Sequence, residues 1–329
     1  MKTISVLRAG FLTTIQDQGR VGYRQGGVAV SGALDANALR VANMLVGNHP
    51  AAAGLEVTLG KLRLRVADNR LVAWCGGDFK VEAAGAPLSP GRIALVQRGE
   101  EMTMTAPAQG ARAWLAISGG IAAPVVLGSR ATDLRSTFGG LEGRALRDGD
   151  ELDLGRQSSL SDRFARKLEV TGRAGWFAPN EWAQTSPRHD FLRVMRGAEW
   201  TRFEAASLDS FIQETFTVGP DSDRMGVRID GPRLRQMPAT EMISEAVAPG
   251  TIQVPPSGEP ILLLGDCQTI GGYPKIAHVI TVDLPAAAQL RAGDSVRFVE
   301  VTLPDAQRWL LERERDVERF RIGLALQTP

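Results

Sequence analysis

Cysteine occurs twice and histidine three times in this chain of 329 residues, and each scarcity removes a class of chemistry. Cys75 and Cys267 lie far apart with no C-x-x-C spacing, which excludes a disulfide framework and a cysteine zinc site. His49, His189 and His278 are scattered, so neither a histidine-based catalytic triad nor a three-histidine metal centre is expected, and no residue is assigned as a metal ligand. There is no G-x-x-x-x-G-K-[ST] loop, no G-x-G-x-x-G after a strand, no H-E-x-x-H and no G-x-S-x-G elbow. No run reaches about 18 apolar residues, and the apolar stretch near Ile4 is too short for a signal peptide, so a soluble, cytoplasmic protein without a membrane partner is expected. Charges nearly cancel, 38 basic against 37 acidic, with no basic block carrying interleaved aromatics, and nucleic acid is not expected as a partner. An enzyme built on this chain works with Lys, Tyr, Asp and Arg, or shares its site with another chain.

What is present is a large apolar fraction, 43%, arranged mostly with a period of two. Leu62, Leu64 and Val66 alternate with Arg63 and Arg65. Short apolar runs follow at 71–74, 93–96 and 113–117, separated by Gly, Pro and Asp turns. This spacing predicts a mainly β chain with a few helices, sandwich or barrel in type, and disfavours a doubly wound βαβ fold. One helix is predicted near 35–46, where Leu34, Ala38, Val41, Ala42 and Leu45 share a face. Asn43 interrupts that face and is expected to bond to a neighbouring loop. Others are predicted at 208–216, capped by Ser207, and from Pro304 to Phe320, where Trp309, Leu310, Val317 and Phe320 can dock. Three segments, 95–102, 145–152 and 289–296, share an apolar residue, a Gly–acid turn and a returning strand, which suggests a recurrent hairpin and related β units. The strand period lapses after Leu154. The expected domains are 1–155 and 189–303, both β-barrel-like, joined by a linker at 156–188 and followed by a C-terminal helix and tail at 304–329.

Two glycine-rich polar stretches stand out. In the first, Gly265 to Lys275, an apolar strand at 261–264 gives way to Gln268, Thr269, Gly271, Gly272, Tyr273 and Lys275. Paired glycines there allow close backbone approach while the other side chains supply donors and a charge. The second, residues 9–27, carries Asp17, Arg20, Tyr23 and Arg24. The chain has only two tyrosines, and each lies in one of these stretches; lysine is also sparse, five among 38 basic residues. As plain structure the second stretch reads as a solvated loop with an Asp17–Arg20 pair. As chemistry, Tyr23 and Tyr273 face one cleft with Lys275 and Arg20 or Arg24 on its walls, and Lys275 sits exposed in a loop. A third glycine-rich stretch, 127–144, and the acid-rich turn around Asp223 and Arg224 are weaker candidates.

Taken together, the runs Phe11 to Arg20, Ser31 to Asp35, Ala42 to Asn48, Phe138 to Arg144, Ser222 to Gly226 and Gln268 to Lys275 resemble the biotin-dependent carboxyltransferase or allophanate-hydrolase subunit 2 family. Its bacterial members include the C-type subunits of 5-oxoprolinase and Kip-type regulators. The resemblance implies cyclophilin-like β-barrel subdomains and a B-type (subunit 1) partner. It also implies a hetero-oligomeric, ATP-dependent lactam hydrolase in which A-, B- and C-type subunits together open 5-oxoproline to glutamate, with ATP used by the complex. Carboxyl transfer to urea or a similar amide, and a non-catalytic regulator binding a kinase-inhibitor-like partner, are the alternatives. No Met-Lys-Met sequence is present, so any biotin comes on another chain. Cys267 stands where relatives usually have arginine. The matching positions are Lys275, Tyr273, Asp17 and Asp223 as candidate catalytic groups, and Arg20, Tyr23, Arg24, Gln268, Thr269, Gly271, Gly272 and Arg224 as candidate substrate contacts. Lys275 then holds an anion as a point charge, Tyr273 donates its hydroxyl or stacks, Arg20 or Arg24 clamps a carboxylate, and Asp17 or Asp223 orients the cations or relays a proton.

Overall fold

The computed structural model describes residues 3–171, 174–183, 191–237 and 242–327; His189 and the end of the expected linker lie outside them. The chain divides into two compact units. One comprises residues 1–20, 31–186 and 315–329, the other residues 21–30 and 187–314. The architecture is mainly β, as the period of two requires, with six α-helices among the described residues. No helix among them is long and apolar enough to cross a membrane.

The first unit holds a six-stranded and a five-stranded antiparallel sheet. Alternation decides which face each strand buries. In Lys61–Val66, Leu62, Leu64 and Val66 are buried while the residues between them are exposed. These three join Ile4 and Val6 from one sheet to Leu55, Val57, Trp74 and Leu115 from the other in a single core. The helix Ala36–Leu45 forms where its period predicts, with Asp35 accepting a hydrogen bond from the Ala38 N–H at 2.8 Å. Asn43 bonds as expected to a loop: its amide donates to Ala52 O at 2.7 Å and accepts from Asn48 at 2.9 Å.

The stretch read as a linker contains the helices Ser159–Thr171 and Asn180–Ala183. Phe164 and Trp176, both buried, pack 4.7 Å apart. Leu160, Phe164 and Leu168 recur every fourth residue in the longer helix, of which Phe164 and Leu168 are buried, and the surrounding Ser, Asp and Arg conceal that signal from a strand-period reading.

The second unit is a closed barrel of seven strands. In spatial order they are Phe191–Arg196, Lys275–Val279, Thr251–Gln253, Ile261–Leu263, Gly226–Asp230, Phe216–Val218 and Ser295–Glu300. A parallel pairing of the last with the first closes it, Leu192 opposite Phe298. Closure removes the sheet edges that would otherwise template aggregation. The barrel interior is aromatic: Phe211 stacks on Phe298 at 4.6 Å and meets Phe216 at 6.2 Å. Each such wholly buried ring contributes about 2–3 kcal/mol. The helix that carries Phe211 spans Ala205–Gln213, earlier than the predicted 208–216. Ser207 is inside it and not its cap; its hydroxyl instead accepts from the Arg235 N–H at 2.8 Å.

The three recurrent turns are one structure. At 97–100, 147–150 and 291–294 the acidic residue closes the turn by donating its N–H to the first residue's carbonyl, at 3.0, 3.1 and 3.0 Å. Its carboxylate accepts the first residue's N–H at 2.7, 2.7 and 3.0 Å. Gly99, Gly149 and Gly293 hold φ of 85°, 90° and 89°, the left-handed region that excludes most side chains. Each glycine N–H then reaches a valine carbonyl, Val66, Val6 or Val218. Two copies lie in the first unit and one in the second. The C-terminal helix, Leu303–Leu326, opens with a reciprocal cap in which the Thr302 hydroxyl bonds Asp305 at 2.6 Å and accepts its N–H at 3.3 Å.

Candidate functional site

Lys275 opens a barrel strand and is 6% exposed, which overturns the expectation of an exposed loop lysine with little part in folding. A buried ammonium needs partners. Glu199 supplies one, its carboxylate accepting the Lys275 N–H at 2.9 Å and lying 3.5 Å from Nζ; Glu245 hydrogen-bonds Nζ directly. Burial alone pulls the Lys275 ammonium below its ordinary value, but the Glu245 hydrogen bond and the charges of both carboxylates outweigh it, and the net shift is upward. Glu245 is held low mainly by that same hydrogen bond. Gly197 brings the chain against this strand. A Cβ there would stand 2.0 Å from the Lys275 carbonyl oxygen, so only glycine permits the approach that places Glu199.

The loop before Lys275 is clamped by Gln253, a buried side chain of the neighbouring strand. Its amide donates to Tyr273 O at 3.1 Å and accepts from Gln268 at 3.3 Å. A Cβ on Gly271 would fall 2.7 Å from Gln253 Nε2, which explains a glycine there; Gly272 is exposed. The Thr269 carbonyl accepts the Val247 N–H at 3.1 Å. Tyr273 is 45% exposed.

The 21–30 segment folds with this barrel, which places both tyrosines in one unit while residues 9–20 of the same stretch belong to the other. Arg24 reaches across 244 residues of sequence to Gln268 O at 3.5 Å and also donates to Val247 O. Tyr23 beside it is 40% exposed. Cys267 is wholly buried in a small core with Val247 and Leu263. Its burial raises the thiol's pKa and the nearby Arg24 charge only partly opposes that, so the position carries an inert thiol where the resemblance leads one to expect a cation.

Arg20 and Asp17 belong to the other unit, and neither is solvated. Asp17 is taken up by three donors: the Gly19 N–H at 2.8 Å, the Ser129 hydroxyl at 2.5 Å and the Arg130 N–H at 2.6 Å. Arg20 donates to Ala131 O and lies 4.5 Å over the Phe138 ring. These two therefore pin the 127–144 stretch onto the unit. Asp223 is likewise engaged, accepting the Met225 and Gly226 N–H groups at 2.7 and 3.2 Å as a turn cap. Arg224 forms a two-pronged pair with Asp266, 2.9 and 3.1 Å, both side chains 4% exposed. That pair staples the 222–226 turn to the start of the 265–275 stretch.

Sequence reasoning missed Glu199, Glu245, Gln253 and Asp266. Asp266 alone had a visible signal, since it lies inside the singled-out stretch. His278, three residues beyond Lys275, meets the Thr251 hydroxyl at 3.2 Å. Burial first and the Lys275 charge second hold its imidazole below the ordinary value, against an opposing pull from Glu199. The unfolded chain then binds this proton more readily than the folded one. His278 thus contributes stability that is full above pH 6.5 and is lost as pH falls through the folded value. His278→Gln is expected to flatten that acid limb: urea midpoints at about pH 7.5 and about pH 5.5 should differ less in the variant than in wild type. An undiminished fall would contradict the assignment.

Residues 26–300 match the family described as carboxyltransferase domain, subdomain A and B. The chain is 36% identical to the C-type subunit of the Escherichia coli 5-oxoprolinase over 322 residues, covering 98% of this chain and 97% of that protein. It is 34% identical to the corresponding 5-oxoprolinase subunit of Haemophilus influenzae, covering 97% of each. Among solved structures, the K. lactis urea amidolyase superposes with a TM-score of 0.86 at 27% identity over 97% of this chain, which spans only 20% of that much longer protein. The mainly β fold, the barrel and the end-to-end match agree: the chain belongs to the carboxyltransferase domain family, subdomains A and B.

Proposed function

We propose that the chain is the C-type subunit of an ATP-dependent 5-oxoprolinase complex, opening 5-oxoproline to glutamate together with A- and B-type subunits. The observation that carries this reading is the coextensive match with two 5-oxoprolinase subunits of that type, 97% of each, against a match to only a fifth of urea amidolyase. Identity runs the same way, 36% and 34% against 27%.

Ring opening requires a poor amide carbonyl to be made electrophilic and the charge that develops to be held. In this reading Lys275 takes the anionic group, Tyr273 and Tyr23 present hydroxyls or ring faces, and Arg24 and Gln268 keep the loop in register. Thr269 and the Gly271–Gly272 pair let substrate approach the backbone. Asp17, Arg20, Asp223 and Arg224 hold loops in place. In the glycine-rich stretch at 139–143, a Cβ on Gly139, Gly140 or Gly143 would meet Ala131 O, Thr132 Oγ1 or the Thr137 backbone within about 2 Å, so these glycines serve close packing within the chain. In this reading ATP is used by the complex as a whole.

The second reading, carboxyl transfer to urea or a similar amide from carboxybiotin on another chain, draws on the urea amidolyase superposition. Affinity purification of the tagged chain from its own cells, with mass spectrometry of what it retains, separates the two. A- and B-type hydrolase subunits are expected. Retention of a biotinylated protein in their place would favour carboxyl transfer and overturn the first reading.

A further inference from the structure

The two carboxylates on Lys275 are unlike each other. Glu199 is fixed, bonding both the backbone N–H and the neighbourhood of Nζ, with its side chain 11% exposed. Glu245 bonds Nζ and not the Lys275 backbone, the Arg202 charge also favours its ionised form, and its side chain is 56% exposed. It stands on the two-residue strand Glu245–Ala246, which among the described residues pairs with Ile270–Gly271 in a ribbon separate from the barrel. Such a two-stranded ribbon is marginally stable by itself. The ribbon also bears Ile270, 60% exposed, beside Ile243 at 86% and Tyr273 at 45%, so little apolar burial secures its outer face. One counter-ion is thus built into the barrel, and a second stands on a short ribbon that is anchored at Val247 but exposed on its outer face.

The geometry points to Glu245 as a place-holder, a displaceable carboxylate that occupies the anion position on Lys275 until a small carboxylate ligand takes it. Exchange of one carboxylate for another keeps the ammonium paired at every stage and leaves Glu199 undisturbed. On displacement the Glu245 carboxylate is taken up by water, since its side chain is already 56% exposed, while the incoming carboxylate keeps the buried ammonium paired. Glu245 is therefore a positioning and selectivity residue: a neutral ligand gains nothing by displacing it, whereas a carboxylate replaces like with like. The inference rests on the reading above that Lys275 receives the substrate's anionic group.

The test uses the full chain and reductive methylation with isotopically labelled formaldehyde, the Lys275 peptide being quantified by mass spectrometry and Lys61, Lys80 and Lys167 serving as internal controls. In Glu245→Gln and Glu245→Ala, labelling of Lys275 is expected to rise by about threefold, the factor suited to a half-exposed pair, with the control lysines unchanged. Acetate is expected to restore protection in both variants, at a lower concentration than it needs to affect wild type. Unchanged labelling of Lys275 in both variants overturns the proposal, as does a rise that acetate does not reverse, since a merely structural role would give the latter. 5-Oxo-L-proline is run as a second probe. Protection by acetate but not by 5-oxo-L-proline would leave Glu245 as place-holder and count against the 5-oxoprolinase reading alone.

Discussion

Lys275→Met in the assembled complex is expected to lower kcat/KM for 5-oxoproline by at least about a hundredfold, the loss typical when one preorganised charge stabiliser is removed. The same substitution is expected to cost about 3 kcal/mol of stability, because Glu199 is left buried without its cation. The two effects come apart in a second variant. Lys275→Met with Glu199→Gln removes both charges and should recover most of the stability, measured by urea unfolding, while activity stays lost. Lys275→Arg should also fail in activity, since a planar fork does not replace a compact ammonium between two carboxylates. Full activity in the stable double variant would remove Lys275 from the site.

Asp266→Ala is expected to destabilise the second unit by about 4 kcal/mol, the scale for an ion pair broken inside a protein, because it removes the carboxylate that holds the Arg224 guanidinium by two bonds at a position only 4% exposed. Arg224→Met combined with Asp266→Leu should be far milder, since both charges of the pair are removed together and two apolar groups of similar volume can pack in their place. Urea unfolding of the three proteins, read at the same pH, checks the order. A single variant no less stable than the double would show that the pair does not staple the two turns.

Much of this was legible in sequence because it is local. The helix at Ala36–Leu45 declares itself by period, and the three Gly–acid turns by a shared pattern that each repeats in hydrogen bonds. The 9–27 and 265–275 stretches were recognisable by scarce residue types gathered beside glycines. The partners were not legible. Glu199 lies 76 residues from Lys275 and Glu245 lies 30, and long-range strand pairing, not any spacing, brings them together: Phe191–Arg196 against Lys275–Val279 for Glu199, and the Glu245–Ala246 ribbon for Glu245. Nor could sequence divide Arg20 from Arg24, four residues apart, of which one anchors the 127–144 stretch and the other the loop at Gln268. Lys275 itself was misjudged as exposed because a glycine-rich exit suggests solvent, whereas its strand begins at that residue and turns it inward.

The account stands most directly on one measurement: glutamate formed from 5-oxo-L-proline and ATP by purified A- and B-type subunits with and without this chain, alongside the chain alone. We expect turnover only when all three are present, none from the chain alone, and loss of turnover with Lys275→Met/Glu199→Gln. Equal turnover by the A- and B-type subunits without this chain would contradict the central claim, as would ATP hydrolysis by the chain alone that depends on Lys275.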